Sequence, residues 1–219
     1  MKLKVFTTIF LIGINSTIST AQRLSPFGSE TNKRVYGEQV NRNPYDASLS
    51  YFECIDPGNA FVVKENGKEY YTLYFFIEDT LTEAGFRVLS PVPELTSPNK
   101  GHLATEDFYN SKNKSKGFNS LLRISKADGL EKRKELLNDN SEPTWKLIGE
   151  NDDSKEMDNQ ENSLIRIVNE KNNIFLWPGL YRIQISSADK KELIGSFLLQ
   201  TGTIPAVQLS PLVADWRKL

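Results

Sequence analysis

The chain has one histidine and one cysteine among its 219 residues. With His102 as the sole imidazole, a Ser-His-Asp set exists only if that residue is its base. With Cys54 as the sole thiol, no intramolecular disulfide forms and no zinc site is built from several thiolates. An excess of charge of either sign is also missing. The 27 Lys+Arg stand against 28 Asp+Glu, which leaves no basic footprint for nucleic acid. No Gly-rich phosphate loop, His-Glu-x-x-His or Gly-x-Ser-x-Gly occurs. After the first few residues no apolar run approaches the length of a membrane-spanning helix, so no transmembrane segment is expected. These absences argue against most catalytic chemistry, and the expectation is a protein that is not an enzyme.

What is present begins with an export signal. Lys2 and Lys4 precede an apolar run over residues 5–14, and Ser19-Thr20-Ala21 puts small residues at a cleavage position. Residues 1–21 therefore read as a cleaved signal peptide. The expected product is periplasmic, cell-surface or secreted. No cysteine stands near the cleavage point to carry a lipid. In an oxidising compartment Cys54 is best read as a small buried hydrophobe, sharing a strand face with Phe52.

Residues 22–34 are polar, with Pro26 and Gly28, and read as a flexible arm. From there strand signals accumulate. Tyr70-Tyr71-Thr72-Leu73-Tyr74-Phe75-Phe76-Ile77 is β-branched and aromatic, and Asn66-Gly67 before it marks a hairpin from Phe61-Val62-Val63. Further strands are expected at residues 50–55, 86–89, 121–124, 164–168, 181–185 and 194–199. Arg or Gln between apolar neighbours, as in Tyr181-Arg182-Ile183-Gln184-Ile185, suits sheets with one wet face. One amphipathic helix is expected over residues 128–137, with Leu130, Leu136 and Leu137 on its apolar side, and a single turn over residues 79–84. The sum is a mainly β antiparallel sandwich, one domain over residues 35–219.

Candidate chemistry concentrates in residues 150–162, an acid-rich insertion between two strands. Calcium takes several oxygen ligands, and Asp152, Asp153, Asp158, Glu161 and their Asn and Gln neighbours offer them. It is not an EF-hand, since counting from Asp152 puts Met157 where Gly is needed and Ser163 where Glu is needed. Taken alone, the loop also reads as a solvated acidic connection. Glu106-Asp107 and Asp139 are a weak carboxylate pair for glycoside hydrolysis. His102 and the basic run Lys112-Asn113-Lys114-Ser115-Lys116 read as surface. Tyr70, Tyr71 and Tyr74 read as strand packing, and Trp145, Trp177 and Trp216 as core or sheet edge.

Two blocks carry a resemblance. The first is Asp56-Pro57-Gly58-Asn59-Ala60, Tyr70-Tyr71, Leu73-Tyr74 and Glu83-Ala84-Gly85-Phe86-Arg87-Val88-Leu89-Ser90-Pro91. The second is Asn162-Ser163-Leu164-Ile165-Arg166-Ile167, Gly179-Leu180-Tyr181-Arg182-Ile183, Gly195-Ser196-Phe197 and Ser210-Pro211-Leu212. In this order and spacing they resemble the leptospiral major surface lipoprotein family, as a distant, non-lipidated member. The resemblance implies a jelly-roll β-sandwich akin to bacterial collagen-adhesin domains. It also implies calcium beside an Asp-rich loop and attachment to host extracellular-matrix proteins such as collagen, laminin and fibronectin. The implied metal positions are Asn119 and Ser120, Asp152 and Asp153, and Glu161. Asn119 stands where the family has a charged ligand, and the Asp run is reduced to Asp152-Asp153.

Three functions follow as expectations. The first is a calcium-binding exported sandwich that contacts matrix or envelope proteins. The second is a metal-free structural or interaction module of the envelope. The third is a carbohydrate-binding or carbohydrate-acting sandwich using Asp107 or Asp139.

Overall fold

A computed structural model describes residues 31–35, 38–42, 49–80, 83–93, 98, 102–132, 135, 142–152, 162–168, 176–203 and 211. The expected signal peptide, together with Asp139, Asp153, Glu161 and Trp216, lies outside these residues. In chain order the strands are β1 (Thr31–Val35), β2 (Glu38–Arg42), β3 (Leu49–Ile55), β4 (Val62–Glu65), β5 (Lys68–Ile77), β6 (Glu83–Leu89) and β7 (Leu103–Ala104). A short helix, α1 (Glu106–Asn110), follows. After it come β8 (Ser120–Ala127), β9 (Trp145–Asn151), β10 (Asn162–Val168), β11 (Gly179–Ser187) and β12 (Gly195–Thr203). β1 and β2 pair as a two-stranded sheet, so the arm expected over residues 22–34 runs into a strand.

The other strands form two five-stranded sheets, ordered β10-β6-β12-β3-β7 and β4-β5-β11-β8-β9. β3, β5, β6 and β8 to β12 can be counted from first to eighth. The first, eighth, third and sixth then neighbour one another in one sheet, and the second, seventh, fourth and fifth in the other. That interleaving is a jelly roll, the form of sandwich that the family resemblance implied. All pairings are antiparallel except β3 with β7.

Alternation builds the core. Tyr71, Leu73 and Phe75 of β5, Ile183 and Ile185 of β11, and Leu122 and Ile124 of β8 face Phe86 of β6 and Phe197 and Leu199 of β12. Phe75 stacks on Tyr181 with ring centroids 5.1 Å apart. The opposite face of the β3 sheet is not wet. Phe52, Cys54, Leu89 and Leu198 are covered there by Phe108 of α1 and by Val92, which makes a second apolar layer. Cys54 is fully buried in that layer, as expected. The hairpin at Asn66-Gly67 forms with φ of 51° and 79°, the two positive values of a tight I′ turn.

Several expectations are corrected. β9 is a full strand where none was foreseen. Its sequence has few β-branched residues, and a register shift opposite Ile124/Ser125 breaks the alternation. Residues 83–84 are strand rather than turn, because Gly85 sits inside β6 opposite Gly202. In the expected 128–137 helix, Asp128-Gly129 form a turn. Leu130, which is not helical, is buried in the core cluster, and its carbonyl accepts the Leu180 N–H at 3.1 Å. Glu135 is helical, and residues 133–134 and 136–141 lie outside the described set. Trp145 does sit on an edge strand, but Trp177 is 54 % exposed. His102 is half-buried, its ring stacked on Phe52 at 6.0 Å. Among the described residues no helix is long and apolar enough to cross a membrane.

Candidate functional site

The segment before β8 is fixed by hydroxyl groups. Ser90 Oγ donates to the Ser196 carbonyl at 2.8 Å and accepts the Phe118 N–H at 3.0 Å. Ser196 Oγ donates to the Lys114 carbonyl at 2.5 Å and accepts the Val92 N–H at 3.0 Å. Gly195 lets the two segments approach, since a Cβ there would lie 2.5 Å from the Lys116 carbonyl oxygen. Asn119 is therefore delivered to the start of β8 by a braced loop. Its own carbonyl accepts the Ala188 N–H at 2.7 Å.

The Asn119 side chain differs from its surroundings. Its Oδ1 is buried and has no hydrogen-bond donor. A buried acceptor without a partner costs about 1–3 kcal/mol, so such atoms ask for an explanation. Ser120, next in the chain, is fully buried at the first position of β8 and pairs with Ser187 of β11. On the other side, the β8–β9 ladder ends at Leu122 opposite Asn151. Asp152 thus leaves β9 at the end of the ladder where β8 begins, and it is exposed.

The topology then places the acidic insertion. β9 is the last strand of one sheet and β10 the last of the other, and β10 packs against β8 and β9. The insertion after Asp152 joins these two edges and ends at Asn162, the residue that follows Glu161. The structure brings Asn119, Ser120 and Asp152 to one end of β8 and β9, while Asp153 and Glu161 lie outside the described residues. Among the described residues no three His, Cys, Asp or Glu side chains converge as a metal group. Glu150 is committed elsewhere, to the Arg123 guanidinium, which also donates to Tyr70 Oη at 2.6 Å.

Outside that edge, the sheet containing β9 shows the expected polar face, but it is layered. Gln184 and Thr72 are buried under longer side chains. Arg182 lies 4.7 Å over the Trp145 ring and donates to Glu65 at 3.0 Å, and Trp145 packs on Tyr74. Asp107, the weak hydrolase candidate, accepts from Asn59 Nδ2 at 3.0 Å.

Sequence reasoning missed a second polar centre, inside the core. Glu53 is 1 % exposed. Its Oε2 accepts the Tyr71 hydroxyl at 2.6 Å, and its Oε1 accepts the Thr105 hydroxyl at 2.7 Å and the Cys54 N–H at 2.9 Å. Tyr51 Oη lies 2.6 Å from Tyr71 Oη and 3.3 Å from Glu53 Oε2. Burial pushes the Glu53 carboxyl up, against the lowering effect of the Tyr71, Thr105 and Cys54 donors. A signal existed: with Phe52 and Cys54 on one face, Tyr51 and Glu53 must share the other.

The comparisons with known proteins come last. A family model described as Lipl32, surface lipoprotein of the Spirochaetales order, matches residues 39–209. No curated protein matches the chain.

Proposed function

The chain belongs to the Lipl32 family of spirochaete surface lipoproteins, and from that premise we propose that it is a non-enzymatic envelope protein that binds calcium at its acidic edge. Asn119 Oδ1, Ser120 Oγ and the carboxylates of Asp152, Asp153 and Glu161 would be the ligands. The observation that carries this reading is the buried, donorless Oδ1 of Asn119 at the strand end where Asp152 arrives. A hard cation with oxygen ligands is the partner such an acceptor lacks. The ion would tie the β9 edge of one sheet to the β10 edge of the other. It would thereby order the insertion as a contact surface for an extracellular-matrix or envelope protein. Export through the signal at residues 1–21 places the protein in the periplasm, on the cell surface or outside the cell.

Thermal unfolding of the protein in EDTA and across a calcium titration tests the metal. An ion that binds only the folded state stabilises it by about 2.7 kcal/mol at a hundred times Kd. For a domain of this size that is a rise in Tm of roughly 5–10 °C. Asp152→Asn with Asp153→Asn should abolish the rise. Superimposed curves at millimolar calcium refute the site and leave the insertion a solvated acidic connection.

A further inference from the structure

One end of the sandwich holds a cleft between the two sheets. Its apolar floor is Ile55, where β3 ends, with Pro57, Val62 of β4, Leu193 and Ile194. Ile55 and Leu193 are each 1 % exposed and belong to the core. The cleft has a volume of about 290 Å³, near the lower limit of about 300 Å³ for small-molecule sites.

Hydrogen bonds brace both walls. The Asn59 N–H donates to the Asp56 carbonyl at 3.1 Å and the Val62 N–H to the Asn59 carbonyl at 3.2 Å, which closes the turn on one side. On the other, the Glu69 N–H donates to the Lys191 carbonyl at 2.9 Å, and Glu69 Oε2 accepts the Leu193 N–H at 2.9 Å. These bonds tie the loop before β12 to β5, so the cleft is preformed.

The charged lining has one sign. Asp56, Glu69 and Glu192 contribute carboxylates, and no lysine or arginine lines the cleft. Asp56 Oδ1 accepts from Ser111 Oγ at 3.1 Å and from Asn113 Nδ2, and Glu69 Oε2 is held by Leu193. Asp56 Oδ2 and Glu69 Oε1 are left over among the described residues. Glu192 is exposed at the lip, with neither oxygen engaged among the described residues. An apolar floor under a negative rim is complementary to a cation carried on a hydrocarbon stem. The acids do not suit a metal ion, since no three of them converge as a metal group among the described residues. They suit a guanidinium poorly, because its planar fork pairs best with both oxygens of one carboxylate, and Asp56 and Glu69 each offer one. An ammonium takes oxygens singly.

We propose that this cleft receives a lysine side chain of a partner protein, its stem on Ile55, Val62 and Leu193 and its ammonium among Asp56, Glu69 and Glu192. Pro57 and Gly58 are exposed at the mouth, so the partner's backbone rests outside while the side chain enters. The contact shares no residue with the acidic edge and needs no calcium.

The experiment is a titration of the isotope-labelled protein with Nα-acetyl-lysine amide in EDTA, followed by amide NMR. The Gly58, Glu69 and Leu193 amides should shift together and saturate, with a Kd on the order of 1 mM for a ligand of this size. Nα-acetyl-norleucine amide, which has the stem without the charge, and Nα-acetyl-arginine amide should each bind at least about fivefold more weakly. Glu192→Gln, a change at an exposed position that engages nothing, should weaken the lysine amide by about threefold to fivefold. Shifts that never saturate at these amides overturn the cleft as a binding site. Equal binding of the norleucine amide, or no loss in Glu192→Gln, overturns the part given to the acids. Cadaverine has the same stem and no backbone. If it or the arginine amide binds more tightly than the lysine amide, the lysine of a protein partner is overturned as the occupant.

Discussion

The protein places its carboxylates in two contrasting surroundings, one at a sheet edge and one in the core. At the β9–β10 edge the acids belong to an insertion, Asp152 is open to water, and the braced acceptor beside it, Asn119 Oδ1, lacks a donor. In the core Glu53 is enclosed, and its oxygens are met by Tyr71, Thr105 and the Cys54 N–H. At the edge one buried acceptor, Asn119 Oδ1, is left over, which is the opening the proposed cation would fill. The core acid has donors in balance and stays inside without one. A carboxylate at an edge is therefore a candidate ligand, whereas a carboxyl in a core is a structural group held by the donors packed around it.

Truncation separates the two most strongly. Glu53→Ala leaves a void and strands two hydroxyls and an N–H, at a cost of about 3–5 kcal/mol. Asp152→Asn, measured in EDTA, should stay within about 0.5 kcal/mol, as exposed substitutions do. Urea unfolding of both variants checks the pair, and equal losses would erase the distinction. Calcium comes next: the rise of about 2.7 kcal/mol at a hundred times Kd should persist in a folded core variant such as Thr105→Ala and vanish in Asp152→Asn/Asp153→Asn. Thr105→Ala itself removes a helix cap and one donor to Glu53, for about 2 kcal/mol by urea unfolding. Its calcium response should match that of the wild type.

The same two places show how far the sequence could be read. Alternation and turn chemistry gave β5, β8, β11, β12 and the Asn66-Gly67 hairpin, because each has a strong local signal. The face shared by Phe52 and Cys54 was legible for the same reason. β9 was not, since Lys146, Gly149 and Glu150 carry little strand propensity and the strand owes its place to pairing with β8. α1 and β7 are too short for periodicity to register. Trp177 was expected in the core or at a sheet edge and is 54 % exposed, so aromatic character alone does not assign burial. At the edge, family resemblance named Asn119, Ser120 and Asp152, and the strand ladder brings them to one end. The donorless state of Asn119 Oδ1 is a matter of three-dimensional surroundings and has no sequence signal. Glu53 was accessible by elimination on β3, yet its partners Tyr71 and Thr105 are brought to it only by the fold.

The finest way to divide the two regions is the sign of a pH slope. Burial raises the Glu53 carboxyl above its ordinary value, so between the unfolded and folded titrations the folded protein binds the extra proton. The stability Glu53 contributes is then fully present below the unfolded pKa and is lost as pH rises through the folded one. Calcium runs the other way. Its carboxylate ligands must be ionised, so the stabilisation it adds is lost as pH falls into the carboxylate range near pH 4 and regained above it. Stability measured by urea unfolding from pH 4 to pH 8 in EDTA should therefore fall more steeply with pH in the wild type than in Glu53→Gln. The increment from saturating calcium should grow with pH in both. If Glu53→Gln leaves the EDTA slope unchanged, the core acid is not the titrating group. If the calcium increment does not change with pH, carboxylates are not holding the ion.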